Sequence, residues 1–168
     1  MILNMDESAI YLDAPSNYSY TEKGSKRVKA STTGSERVRL STAFTASACG
    51  KKLPVYTMIP RVTPLPRISE FEYIVPCYQT KTCFDKSSII DYLSRVIMPY
   101  KTTKALNRVL LILDQATCHK SEDVAKFCID HFIDLVFIPG RMTNLLQPAD
   151  VSWFGVIKKS YKKLWSEW

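Results

Sequence analysis

Asp6, Asp114 and Asp150 are the side chains of this 168-residue chain whose type and setting point to chemistry. Asp6 closes Ile2–Asp6, an apolar run with one interruption that reads as a short strand. Asp114 closes Arg108–Asp114, a continuous apolar run of the kind buried on both faces of a sheet. Asp150 opens the last helical pattern. Strand ends and helix starts of an open sheet gather at one edge, where α/β folds build their sites. If the first two strands are neighbours, Asp6 and Asp114 converge, and a helix starting at Asp150 brings in a third acid. Three hard oxygen ligands with few competing groups suit Mg²⁺ or Mn²⁺. Two such ions about 4 Å apart activate a water or hydroxyl and stabilise the leaving oxygen of a phosphodiester. Each acid also has an ordinary reading: a turn opener at Asp114, an N-cap at Asp150, a partner for a nearby base at Asp6. Spacing alone leaves both open.

The elements that must hold these acids follow from periodicity. Arg37–Ala48 places Val38, Leu40, Thr42, Phe44 and Ala46 at period two, and Cys49-Gly50-Lys51-Lys52 then turns the chain into Leu53–Ile59, a predicted hairpin. Pro60, Pro64, Pro66 and Pro76 predict an irregular stretch up to Phe84. Asp85 caps a helix with Ile89, Ile90, Leu93, Val96 and Ile97 on one face, and Pro99 is expected to stop it. Ser121-Glu122-Asp123 opens another helix, and Asp134–Pro139 is a second buried strand. The last helix places Val151, Phe154, Ile157, Tyr161, Leu164 and Trp168 on one side and its lysines mostly on the other. A hairpin followed by alternating strands and helices indicates a mixed α/β domain, its sheet covered by helices.

Composition narrows the function classes. Hydrophobic residues at 46% and charged residues at 23% suit a globular domain of one core. The longest purely apolar run, Val109–Leu113, falls far short of the ~20 residues a membrane helix requires, and Met1–Met5 leads straight into Asp6 and Glu7 without a secretory pattern. Neither membrane nor secretion is expected. Five cysteines without a C-x-x-C suit reduced thiols. The net charge of +7 is uneven. Residues 21–67 hold ten Lys/Arg against Glu22 and Glu36, whereas residues 1–20 hold only the acids Asp6, Glu7 and Asp13. A basic, loop-borne stretch with Lys23, Lys26, Arg27, Lys29, Arg37 and Arg39 is the candidate for phosphate contacts. The lysines of the last helix read first as a solvated face. Cys118, His119, Cys128 and His131 lack zinc-site spacing, and neither histidine sits near a nucleophile elbow.

The words around the acids carry a resemblance. Asn4-Met5-Asp6-Glu7-Ser8, the run Tyr20–Lys26 and Thr32-Thr33-Gly34 resemble the opening of the catalytic domain in pogo- and Tigger-type transposases of the mariner superfamily, which are DDE superfamily endonucleases. Leu111-Ile112-Leu113-Asp114 with His119 five residues on is similar to that family's second motif. Ile138-Pro139-Gly140 and Leu145-Leu146-Gln147-Pro148-Ala149-Asp150-Val151 are similar to its third, and 35 residues separate Asp114 from Asp150, a spacing of the family's kind.

The resemblance runs from Leu3 to Trp168. It implies an RNase H-like fold with a central mixed five-stranded sheet flanked by helices, and Asp6, Asp114 and Asp150 as catalytic ligands of two Mg²⁺ or Mn²⁺ ions. The implied chemistry is hydrolysis at a transposon end followed by attack of the freed 3′-hydroxyl on target DNA, with no covalent protein nucleophile. His119 becomes a residue beside the site. Glu7 is expected to face away from the metals or to position the loop, since adjacent strand residues point to opposite faces.

The implied partners are DNA and a second copy of the chain, without membrane or small-molecule cofactor, and the implied compartment is the nucleus. The family's preceding helix-turn-helix region is expected to lie outside residues 1–168. Cys118 stands where the family usually has Gly, and Gln115 where Asn or Ser is common. Two classes remain, a metal-dependent strand transferase and a domesticated or remnant DNA-binding module that does not cut. Three acids kept in place favour the first.

Overall fold

The computed structural model describes residues 1–13, 22–24, 26, 38–68 and 71–167. Its strands are β1 Ile2–Tyr11, β2 Arg39–Ser47, β3 Val55–Pro60, β4 Ile74–Gln79, β5 Val109–Leu113 and β6 Ile133–Phe137. The α-helices are α1 Lys86–Tyr92, α2 Met98–Thr103, α3 Glu122–Asp130, α4 Thr143–Leu146 and α5 Phe154–Glu167. Leu93–Ile97 joins α1 to α2 as a π-helical turn, and Ala149–Trp153 leads into α5 as another. The strands form one mixed sheet in the order β4-β3-β2-β1-β5-β6. Among the described residues no helix is long and apolar enough to cross a membrane.

The hairpin forms where period two and the Gly50 turn place it. Gly50 takes φ +85°, a conformation that costs a side-chain-bearing residue dearly, and β2 and β3 pair antiparallel with Ser41 opposite Met58. Asp85 and Ser88 form a reciprocal capping box at the start of α1. Ser121 caps α3, whose first turn holds Glu122 and Asp123 where the helix dipole favours acids. One face of the sheet closes over the main core, in which Leu3 and Met5 of β1, Tyr56 of β3 and Leu111 of β5 pack on Ile89, Tyr92, Ile97 and Val124. Across the other face lies α5, with Phe154 edge-on to Phe44 of β2 at 5.6 Å.

Four expectations need correcting. Among the described residues the sheet has six strands rather than five, because β4 lies in the proline-rich stretch and pairs parallel to β3. Pro76 sits within it, opposite Thr57, and a strand with one neighbour among the described residues tolerates the missing donor. The first strand does not end at Asp6: β1 pairs with β2 from Leu3 opposite Ser47 to Tyr11 opposite Arg39, which keeps Asp6–Tyr11 extended despite their polarity. Pro99 does not stop its helix. The wider Leu93–Ile97 turn, closed by the Met98 N–H on the Leu93 carbonyl, absorbs the missing donor, and α2 runs on. Finally, β6 is a half-buried edge strand, since nothing pairs with its outer side among the described residues.

Candidate active site

Register brings the first two acids together. β1 and β5 run parallel, with Ile2 beside Leu110, Leu3 beside Leu111 and Asn4 beside Ile112. Two residues further along this ladder, Asp6 comes level with Asp114, the residue that follows β5. Pairing with β5 ends at Asn4 while pairing with β2 continues to Tyr11, so a notch opens in the sheet beyond Asn4, beside Asp6. Asp150 is exposed on the Ala149–Trp153 turn, which packs on β1. Burial raises the Asp6 pKa to about 7, against the Glu7 N–H and the Gln147 side chain, and the charges of Asp150 and Asp114 push the same way. Asp6 therefore feels both of the other carboxylates, at the edge of the sheet where strand and helix ends meet.

The two faces of β1 hold this arrangement differently. Asp6 lies opposite Phe44 and faces α5, whereas Glu7 lies opposite Ala43 and faces the main core. On the Asp6 side, fully buried Gln147 donates from Nε2 to the Met5 carbonyl (3.1 Å) and accepts at Oε1 from Asn4 Nδ2 (2.7 Å). Asn4 Nδ2 also reaches the Ile112 carbonyl at 3.2 Å, which ties β1, β5 and the chain before Asp150 into one knot. The Gln147 N–H closes α4 on the Thr143 carbonyl, and its own carbonyl accepts from Val151. One residue thus ends a helix, starts the next turn and anchors both to β1.

On the Glu7 side a tight turn after β5, with His119 N–H on the Ala116 carbonyl, folds His119 back under Asp114. His119 is buried, with Nδ1 2.7 Å from Asp114 Oδ1 and Nε2 3.0 Å from Glu7 Oε1. Burial opposes its charge, but the hydrogen bonds to Asp114 and Glu7 outweigh that and raise its pKa to about 10. The same contact with His119 holds Asp114 below the usual carboxylate range, with help from the Ala116 N–H at 3.0 Å. Cys118, the departure from the family's Gly, offers its sulfur within 4.8 Å of the Glu7 and His119 donor atoms. Burial pushes its thiol up to about 11.

The structure thus sets His119 against Asp114, runs Asp6 along the β1–β5 register toward Asp114, and places Asp150 on a turn that packs on β1. Cys128 stays in the core, and His131 ends α3 against the Phe127 ring at 4.3 Å, so the two do not join His119. Of the basic residues, Lys23 and Lys26 are exposed, while Arg27, Lys29 and Arg37 lie outside the described residues. Arg39 is exposed at the start of β2 and lines a cleft with Glu7, on the opposite side of the sheet from Asp6. Sequence reasoning missed Asn4 and Gln147 as site-building residues. Their signal was a polar side chain in an apolar strand and a glutamine preceding Pro148.

A divalent cation fits this donor set. The donors are hard carboxylate oxygens, and Asp6 is held so unfavourably that a positive charge beside it would relieve both its burial and the repulsion from Asp114 and Asp150. The neighbouring trio of Glu7, Cys118 and His119 fits less well, because both imidazole nitrogens are already engaged by carboxylates.

A mixed sheet flanked by helices in this order is an RNase H-like fold. The particular family follows from residues 30–168, which match the model of the DDE superfamily endonucleases, and the chain belongs to that family. Relatives described as "Pogo transposable element with KRAB domain", from Mus musculus and from Homo sapiens, are each 29% identical over 168 residues. The match covers 98% of this chain and 27% of either relative, so the chain spans about a quarter of their length. A Mos1 transposase paired-end complex with the left transposon end has the same fold, with a TM-score of 0.64 at 14% identity, over 99% of this chain and 47% of that one. Mariner Mos1 paired-end complexes with Mg and with Mn each give 0.63, at 14% and 12% identity and the same coverage. The chain is thus a DDE superfamily endonuclease domain, similar in sequence to pogo-type relatives and in fold to the Mos1 transposase.

Proposed function

We propose that this domain cuts and joins DNA with the help of two Mg²⁺ or Mn²⁺ ions held by Asp6, Asp114 and Asp150. The observation that supports the reading is the β1–β5 register, which, carried two residues past Asn4 opposite Ile112, matches Asp6 with Asp114 on the strand against which the turn bearing Asp150 packs. Bound there, the ions would supply activation of an attacking water or 3′-hydroxyl and stabilisation of the departing oxygen of a phosphodiester. The protein supplies the positions: His119 fixes Asp114, and Gln147 ties the segment carrying Asp150 to β1. The basic stretch of Lys23, Lys26, Arg27, Lys29, Arg37 and Arg39 holds the DNA backbone. DNA as transposon end and target, and a second copy of the chain, are the proposed partners, in line with the paired-end complexes among the structural neighbours. Nuclear residence follows from that substrate.

Mn²⁺ titration of the purified chain by calorimetry tests the reading, with wild type beside Asp114→Asn and Asp150→Asn. Wild type should bind saturably, and both variants should keep their circular dichroism while losing binding and metal-dependent nicking. A variant that still binds and nicks removes its residue from the set.

A further inference from the structure

The Glu7 carboxylate touches none of the three aspartates' chemistry directly, yet it is spent on a buried histidine. Leu3 and Met5, its neighbours on the same face of β1, are core residues, so Glu7 brings a charge to the rim of an apolar layer. Such a placement is costly unless the charge is answered, and His119 Nε2 answers it at 3.0 Å. The opposite ring nitrogen donates to Asp114 Oδ1 at 2.7 Å, and the Ala116 N–H reaches that same oxygen at 3.0 Å. Both donors fall on Oδ1, which leaves Oδ2 without either of them.

We infer that Glu7 is a positioning residue which, through His119, orients the Asp114 carboxylate so that Oδ2 is the oxygen offered to a cation. The inference rests on the metal site proposed above. One strand then sets two of the three ligands: β1 presents Asp6 directly on one face and steers Asp114 from the other. The ring cannot turn to serve Asp114 differently without giving up Glu7, because at 2% exposure it has almost no water to turn to. Groups that orient a metal ligand in this way typically cost about 10–100-fold in metal affinity when removed.

Glu7→Gln and Glu7→Asp separate reach from charge. The glutamine keeps the length, and its amide oxygen still accepts from Nε2; the aspartate keeps the charge but falls one methylene short. Calorimetric Mn²⁺ titration should find Glu7→Gln close to wild type and Glu7→Asp weaker by about tenfold or more. Both variants should match wild type in circular dichroism. Nitrogen-15 NMR of the His119 ring should show its hydrogen bond retained in the first and absent in the second. The reverse order of affinities overturns positioning in favour of charge alone, and two equal variants, both strong or both weak, overturn it outright. A wild type that takes up no Mn²⁺ refutes the metal site itself and the inference with it, whereas saturable wild-type binding confines any failure to Glu7.

Discussion

Two carboxylate-centred networks are built on this sheet, and they are balanced in opposite ways. In the first, Asp91 of α1 accepts from the Tyr56 phenol at 2.8 Å and from Arg95 at 3.2 Å, both on Oδ2. Arg95 goes on to the Pro76 carbonyl at 2.9 Å and lies 6.0 Å from the centre of the Tyr56 ring. One anion meets one cation and a phenol that burial keeps protonated, so nothing is left over. In the second, Asp114 and Glu7 share His119, Asp6 has the Gln147 side chain and the Glu7 N–H, and the charges of Asp114 and Asp150 bear on Asp6. A network whose charges cancel holds β3, β4 and α1 together. One left with surplus negative charge, at the rim of the sheet, is built to receive something positive. The charge balance of a polar cluster, more than its hydrogen-bond count, separates scaffold from site here.

Gln147→Leu should do the most damage, since it strikes the site's own scaffolding. The leucine leaves the Met5 carbonyl and part of Asn4 buried without their partner, which costs about 2–3 kcal/mol by urea unfolding. Because the same side chain anchors the segment bearing Asp150, Mn²⁺ affinity should fall about tenfold as well. Tyr56→Phe is the matching probe of the balanced network. It should lower stability by about 1–2 kcal/mol, as expected for a hydrogen bond to a charged group, and leave the Mn²⁺ titration unchanged. If Tyr56→Phe weakens Mn²⁺ binding as much as Gln147→Leu does, the two networks are one, and the contrast between them is void.

Much of this was legible in the residues, for identifiable reasons. The hairpin could be read because period two and the turn at Gly50 act locally, and α1 and α3 because Asp85 and Ser121 are strong caps. The three aspartates stood out because two close apolar strand patterns and the third opens the last helical one. β4 was hidden because its pairing with β3 overrides what Pro76 signals in isolation. The second half of β1 was hidden likewise: Asp6, Glu7 and Ser8 are extended because β2 pairs with them, a fact with no local signature. Glu7 could be placed on the face opposite Asp6 by alternation alone. That His119 would be there to meet it depended on a turn 112 residues away, which no periodicity reports. Gln147 shows the same limit, since a lone glutamine before a proline reads as loop until its burial is seen.

The smallest effect belongs to the region that offsets the site's charge. A surplus of carboxylates repels phosphate as surely as it attracts a cation, so DNA can approach only if other groups hold its backbone nearby. Residues 21–67, with ten bases against two acids, are the part of the chain with charge to spare for that purpose. Neutralising Lys26, Arg27 and Lys29 together should leave the fold and the DNA-free Mn²⁺ titration as they are. It should weaken binding of a short duplex at every sequence alike and flatten the dependence of log K on log salt by about one unit for each phosphate no longer held. Fluorescence anisotropy across a salt series reads this directly. An unchanged slope would assign the backbone contacts elsewhere, with the exposed lysines of α5, Lys158, Lys159, Lys162 and Lys163, as the next basic surface to neutralise. A slope that flattens while Mn²⁺ binding holds would show the two charges acting separately: acids that gather the cation, and bases that gather the strand to be cut.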